Sequence, residues 1–337
     1  MKQPTRRTFL KATGCVAIGG VAQLCPPSAG SGLSQVSAAT LSRPLSPSAF
    51  KENLAGPILS LPTTFNKDLS VNDLAPAKMI GRAVRHGVPI VGLTAGNSKY
   101  FCLSYDEIKN VTKAMVEAAQ QRCLTIAATG AWPTEQVVDY ARFCESIGAD
   151  ALQILLPKDV QNEDALFEHF QTAARGTRLP LVLHGRYSRT LLNRLASIDS
   201  IVAMKEDAQL NYYVDRAIAF GDRFEIFSGG GEYRYLVGYP YGSKAFFSTY
   251  TSFAPDKSMM FWEAIRGGDV ARAAMVTKKY DYPFIQRFSH PFWHATLEYF
   301  GLAKRYMREP MKSFTAAQMT EVKDFFDGQG ITPDQYQ

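Results

Sequence analysis

The sequence predicts an α/β chain folded as a (βα)8 barrel, on three observations. Eight short apolar, β-rich runs alternate with segments of helical period. Runs of this kind, bounded by polar residues, read as strands buried on both faces of a parallel sheet. One of them, Ser200–Lys205, leads straight into Glu206 and Asp207, and the C-terminal ends of barrel strands are where such folds carry chemistry.

The runs are 57–61, 89–94, 123–128, 149–156, 179–184, 200–205, 224–228 and 244–249. Eight strand–helix units in succession close best as a barrel with its helices outside. Segments 104–121 and 133–147 are the clearest helices. Ser104 and Glu107 form a capping box, in which a hydroxyl and a carboxylate satisfy exposed N–H groups. Pro133 suits a first helical turn, where its missing N–H is not needed. After Pro255 no strand pattern follows; 256–267, 269–287, 290–305 and 316–326 read as helices. The expected division is a signal at 1–38, a linker or N-terminal arm at 39–54, a barrel at 55–267 and a C-terminal helical region at 268–337.

The signal reading rests on Thr5-Arg-Arg-Thr-Phe-Leu-Lys11, a twin-arginine export pattern. A weakly apolar segment, Ala12–Leu24, follows, too short to span a membrane. Small residues then offer cleavage at Val36-Ser37-Ala38 or Ser37-Ala38-Ala39. An ordinary basic N-terminus is the plainer alternative. Export by this route predicts a periplasmic or otherwise extracytoplasmic protein with no membrane attachment after cleavage. The net charge of +6 includes Lys2, Arg6, Arg7 and Lys11, the only charges before residue 39, so the remainder carries +2. No basic run is left to suggest nucleic acid. Past the signal, with Cys15 and Cys25, the cysteines are Cys102, Cys123 and Cys144. That odd count, without CxxC spacing, argues against a disulfide framework or a zinc site.

Chemistry is expected at the strand ends. Alternation puts Ile201, Ala203 and Lys205 on one face, and Val202 and Met204 on the other. An inward face aims the Lys205 amine into the mouth; the bland alternative is a lysine that snorkels out of a strand end. The turn after strand two contains Thr94, Ala95, Gly96 and Ser98, whose amides and hydroxyls suit an anion such as a carboxylate. Strand five ends in His184, followed by Gly-Arg-Tyr-Ser-Arg-Thr190. Gly229–Gly231 suggests a phosphate cradle or simply a tight turn. His290 and His294 stand at i, i+4, a zinc-compatible spacing, but among aromatic neighbours that favour packing. Tyr233, Tyr235, Tyr239, Tyr241 and Tyr250 suit either sugar stacking or a core.

These segments together resemble the dihydrodipicolinate synthase/N-acetylneuraminate lyase family, over about Gly56 to Lys312. Leu93-Thr-Ala-Gly-Asn-Ser98 is similar to the family's turn after strand two. His184-Gly-Arg-Tyr-Ser-Arg-Thr190 is similar to its strand-five segment, and Ala203-Met-Lys-Glu-Asp207 to its strand-six end. Ser228-Gly-Gly230 and Gly242-Ser-Lys-Ala245 fit the later strand ends, and Met311 the C-terminal helical region.

The resemblance implies a Schiff-base aldolase or lyase acting on a small 2-oxo acid or sugar acid, with no cofactor and no metal. Lys205 is then the nucleophile. Thr94, with the amides of Ala95 and Gly96, holds the carboxylate, supported by Ser98. Arg189 is a second anion contact, and Gly230 and Lys244 are further substrate contacts. A homotetramer is implied as well. Three residues depart from the pattern. His184 stands where the family has a proton-shuttling tyrosine, and Tyr187 is the candidate to compensate. Ala95 replaces a threonine and Asn97 an acid. The segment from Thr190 to Lys205 is also short for the family. These changes argue against dihydrodipicolinate synthesis itself. They leave open a ligand-binding barrel that has lost turnover, and more weakly an enzyme for a phosphorylated ligand.

Overall fold

The computed structural model describes residues 41–158, 160 and 162–336. The expected signal and cleavage sites, with Cys15 and Cys25, lie outside them.

Helix α1 (Pro47–Asn53) is the first element of the described residues, where a linker or arm was expected. Ser46 caps it by accepting from the Ala49 amide at 3.1 Å. Then come β1 (Gly56–Ser60), α2 (Ala75–Arg85), β2 (Ile90–Gly92), α3 (Tyr105–Ala119), β3 (Leu124–Ala128), α4 (Thr134–Ser146), β4 (Ala151–Leu155) and α5 (Glu163–Arg175). Next are β5 (Leu181–His184), α6 (Arg189–Leu195), β6 (Ile201–Glu206), α7 (Leu210–Phe220), β7 (Glu225–Ser228), α8 (Glu232–Gly238), β8 (Ala245–Ser248) and α9 (Pro255–Arg266). The eight strands are parallel and close, β8 pairing with β1. The capping box on α3 is present in both directions. Pro133 is the N-cap of α4 rather than a first-turn residue, one position from its expected place. The short segment before β6 is taken up by an α6 of seven residues.

Residues of all eight strands fill the barrel interior, among them Ile58, Ile90, Ile126, Val182, Phe227 and Phe247. Helix α1 closes the floor. Phe50 and Leu54 are fully buried in that interior cluster. Lys51 donates to the carbonyls of Asp222 and Arg223, just before β7, each at 2.9 Å.

Strand β6 departs from simple alternation. Leu181 pairs with Ile201 but Val182 with Ala203, so Val202 is an extra residue. Val202 and Ala203 both join the interior, and Ile201 joins Met204 outside. Such a bulge re-aims the residues beyond it. After it Ala203 and Lys205 share the inward face, so the lysine points inward, as expected, by a different route.

The C-terminal region comprises α10 (Val270–Val276), α11 (Tyr282–Arg287), α12 (His290–Tyr299) and α13 (Met319–Gln329). The continuous helix expected at 269–287 is interrupted by a π turn at Thr277–Asp281. Phe284, Phe292 and Phe326 pack in one core with Met79 of α2 and Trp262 of α9. Among the described residues no helix is long and apolar enough to cross a membrane.

Candidate active site

Lys205, one residue before the end of β6, has its side chain almost fully buried, 4 % exposed. Its amine donates to Asp207 Oδ2 and lies 3.1 Å from His184 Nε2. His184 Nε2 is in turn 3.2 Å from Asp207 Oδ2, which closes a three-membered cluster. Pairing of β5 with β6 sets His184 directly beside Lys205. Behind the ring, the Gln153 amide lies 3.2 Å from His184 Nδ1. Gln153 Oε1 has no partner. A half-turn of that amide would let Oε1 accept from Nδ1–H and leave Nε2 bare for the lysine proton. The Phe247 ring centroid, 5.5 Å from the amine, forms an apolar wall.

Burial lowers the His184 pKa below its ordinary value, and the Lys205 charge lowers it further; Asp207 opposes both. Burial alone would raise the Asp207 carboxyl. A hydrogen bond from His184 whenever its ring takes up a proton, together with the Lys205 charge, more than offsets this and holds it well below the usual carboxylate range. The cluster therefore offers an amine, a neutral imidazole and a fixed carboxylate within hydrogen-bond reach of one another.

Gly229 makes room for it. A Cβ there would lie 2.9 Å from Lys205 Nζ and 2.8 Å from Asp207 Cβ. Gly229–Gly231 also border a cavity of about 290 Å³ at the mouth, shared with Ser60, Asn97 and Phe247. A phosphate cradle does not fit this turn. The Glu232 amide, at the start of α8, is held by Asp281 Oδ2 at 2.9 Å. Glu206, Glu232 and Asp281 are buried around the turn. Burial pushes the Glu206 and Asp281 carboxyls up to about 7, and acids behind a loop repel an anion.

The turn after β2 lies across the mouth, where Asn97 Nδ2 donates to Ser60 Oγ at 2.9 Å. Its hydroxyls are occupied internally. Thr94 Oγ1 accepts from the Asn97 amide at 3.2 Å, and Ser98 Oγ accepts from the Thr94 amide and donates to the Leu61 carbonyl. The amides of Ala95 and Gly96 are not used in the turn's hydrogen bonds. The anion-binding capacity of this turn is thus in its backbone.

Three predicted contacts lie elsewhere. Tyr187 is buried on the Phe170 ring, with centroids 5.8 Å apart, beneath α5 and α6. Arg189, at the start of α6, pairs on the surface with Asp215 of α7. Lys244 precedes β8 and pairs with Glu225, the first residue of β7, at 3.5 Å. It therefore belongs to the floor, at the opposite end of the strands from Lys205, because side chains just before a strand lie at the N-terminal face of a barrel. Sequence reasoning did not assign roles to Asp207 or Gln153. Gln153 carried a signal: it is the lone polar residue within the apolar run Ala151–Leu155.

The sequence model of the Dihydrodipicolinate synthetase family matches residues 53–328. A 4-hydroxy-tetrahydrodipicolinate synthase of Alkalilimnicola ehrlichii is 27 % identical over 66 % of this chain and 79 % of its own. A probable 5-dehydro-4-deoxyglucarate dehydratase of Streptomyces coelicolor is 26 % identical over 70 % of this chain and 76 % of its own. The solved dihydrodipicolinate synthase of Bacillus clausii superposes with a TM-score of 0.75 at 19 % identity, covering 82 % of this chain and 98 % of its own. The match to the family model spans the barrel and most of the C-terminal helices, and the chain belongs to the dihydrodipicolinate synthetase family.

Proposed function

We propose that this family member is a lyase that makes or breaks a C–C bond in a 2-oxo acid or sugar acid through a Schiff base on Lys205. The supporting observation is the meeting of Lys205, His184 and Asp207 at the mouth. The free amine attacks the C2 carbonyl. His184 takes the proton released from nitrogen and returns it to oxygen. A second protonation expels water and leaves a protonated imine beside the Asp207 carboxylate. That imine draws electrons from C3, so a C3 proton or the C3–C4 bond can be lost to give an enamine. The carboxylate of the substrate rests on the Ala95 and Gly96 amides.

The departures at positions 95, 97 and 184 point away from dihydrodipicolinate synthesis. The twin-arginine pattern supports action outside the cytoplasm; replacing Arg6 and Arg7 by lysine should leave uncleaved precursor inside the cell. The test of the chemistry is proton NMR of pyruvate in D2O. The wild type should exchange the C3 protons and Lys205→Ala should not. Saturable binding with no exchange would instead favour a binding protein that has lost turnover.

A further inference from the structure

Lys99 follows the β2 turn and has no part in the chemistry above. It is fully buried, and its backbone lies in the left-handed region at φ 60°, an uncommon place for a side chain of this size. Its amine donates to the Asn97 carbonyl at 3.1 Å and lies 5.8 Å from the centroid of the Trp293 ring. The groups facing it are Cys102 from its own segment and His290 and His294 from α12. Arg308, beyond Cys102, is already paired with Glu107 at 2.6 Å. Among the described residues no carboxylate pairs with Lys99. His294 is fully buried, and its ring pairs with no side chain, facing only the Tyr306 backbone and the other basic groups. The His290 Nδ1 is likewise unpartnered. A buried cluster of three basic groups without an acid stays largely uncharged, and it can hold a proton only when a counter-charge arrives. The turn above it has its Ala95 and Gly96 amides free, and Asn97 borders the mouth cavity.

We propose that Lys99 is the counter-charge for a carboxylate seated on the Ala95 and Gly96 amides, so that binding a 2-oxo acid draws a proton onto this amine. The inference rests on the substrate class proposed above and makes Lys99 a binding residue acting from beneath the turn. Without an anion, burial holds the amine down to about 7. An arriving carboxylate favours the ammonium form.

Calorimetric titration of pyruvate at pH 8, in two buffers of unlike ionisation enthalpy, counts the protons taken up. The wild type should take up about one proton more than Lys99→Met, since any change at Lys205 is common to both. The half-saturation for borohydride trapping on Lys205 should rise about tenfold in the variant, the equivalent of one pKa unit, with the yield at saturation unchanged. In the wild type alone, half-saturation should rise as pH increases above 7, a trend that does not depend on the variant folding. Equal proton counts, or a half-saturation independent of pH and of the substitution, would overturn the proposal. Binding without an adduct would sink the Schiff-base reading and leave the proton count to decide Lys99. Absence of any pyruvate binding would overturn both.

Discussion

Asp207 turns back from the end of β6 to accept a hydrogen bond from Lys205, two residues earlier, and the same oxygen lies 3.2 Å from His184 Nε2. One carboxylate thus fixes the nucleophile and the acid/base together. Asp207→Asn keeps the shape and removes the charge. His184 already titrates below its ordinary value, so the base form is lost only as pH falls below about 6.5. Asp207 is the group that raises the His184 pKa, so its loss should move this acid limb to still lower pH. A pH profile of kcat/KM checks the direction. A fall in kcat of about a hundredfold is expected, the lower range for a disrupted acid–base group.

Gly229 is where the catalytic cluster meets the mouth cavity. Gly229→Ala places a methyl group 2.9 Å from the lysine amine. Its φ is not positive, so the backbone accepts alanine. The expected outcome is a folded protein with an unchanged melting temperature to within a few degrees and a large loss of kcat. Circular dichroism melting and the deuterium-exchange assay separate the two.

Glu232 and Asp281 form a buried acid pair behind α8, and burial raises both pKa values, Asp281 to about 7. A carboxyl whose folded pKa is raised binds more protons folded than unfolded between about pH 4 and 7. Its contribution to stability is therefore present at low pH and is lost as pH rises through 7. Buried histidines such as His294 act in the opposite sense, but below about pH 6.5. The comparison of Glu232→Gln with the wild type isolates the pair. The variant should gain melting temperature relative to the wild type as pH goes from 6 to 8. A gap between the two that does not change with pH would contradict the account.

Much of this arrangement was legible in the sequence. The eight strand runs, the Ser104–Glu107 box and an inward Lys205 followed from periodicity and local chemistry. Three features were hidden because they depend on tertiary packing. The bulge at Val202 appears only when β6 is paired with β5. Arg189 and Lys244 looked like anion contacts, but acids distant in sequence, Asp215 and Glu225, hold them elsewhere. Asp207 was visible beside the lysine, yet only the strand end shows that it folds back.

Helix α1 was unreadable for a similar reason: its pattern becomes amphipathic only against a barrel floor. Phe50 is fully buried there. Phe50→Ala should cost about 3–5 kcal/mol, the usual range for removing a buried aromatic ring. Urea unfolding measures it. A cost under about 1 kcal/mol would mean that α1 is no more than the linker or arm the sequence suggested.

Borohydride trapping reads covalent chemistry at Lys205 without any intervening step. The protein and its Lys205→Ala variant would be reduced in the presence of a panel of 2-oxo acids and mapped by peptide mass spectrometry. A reduced adduct on Lys205, absent from the variant, is expected, and its mass identifies the acid accepted. An adduct on another lysine, or none with any acid on folded protein, would contradict that chemistry.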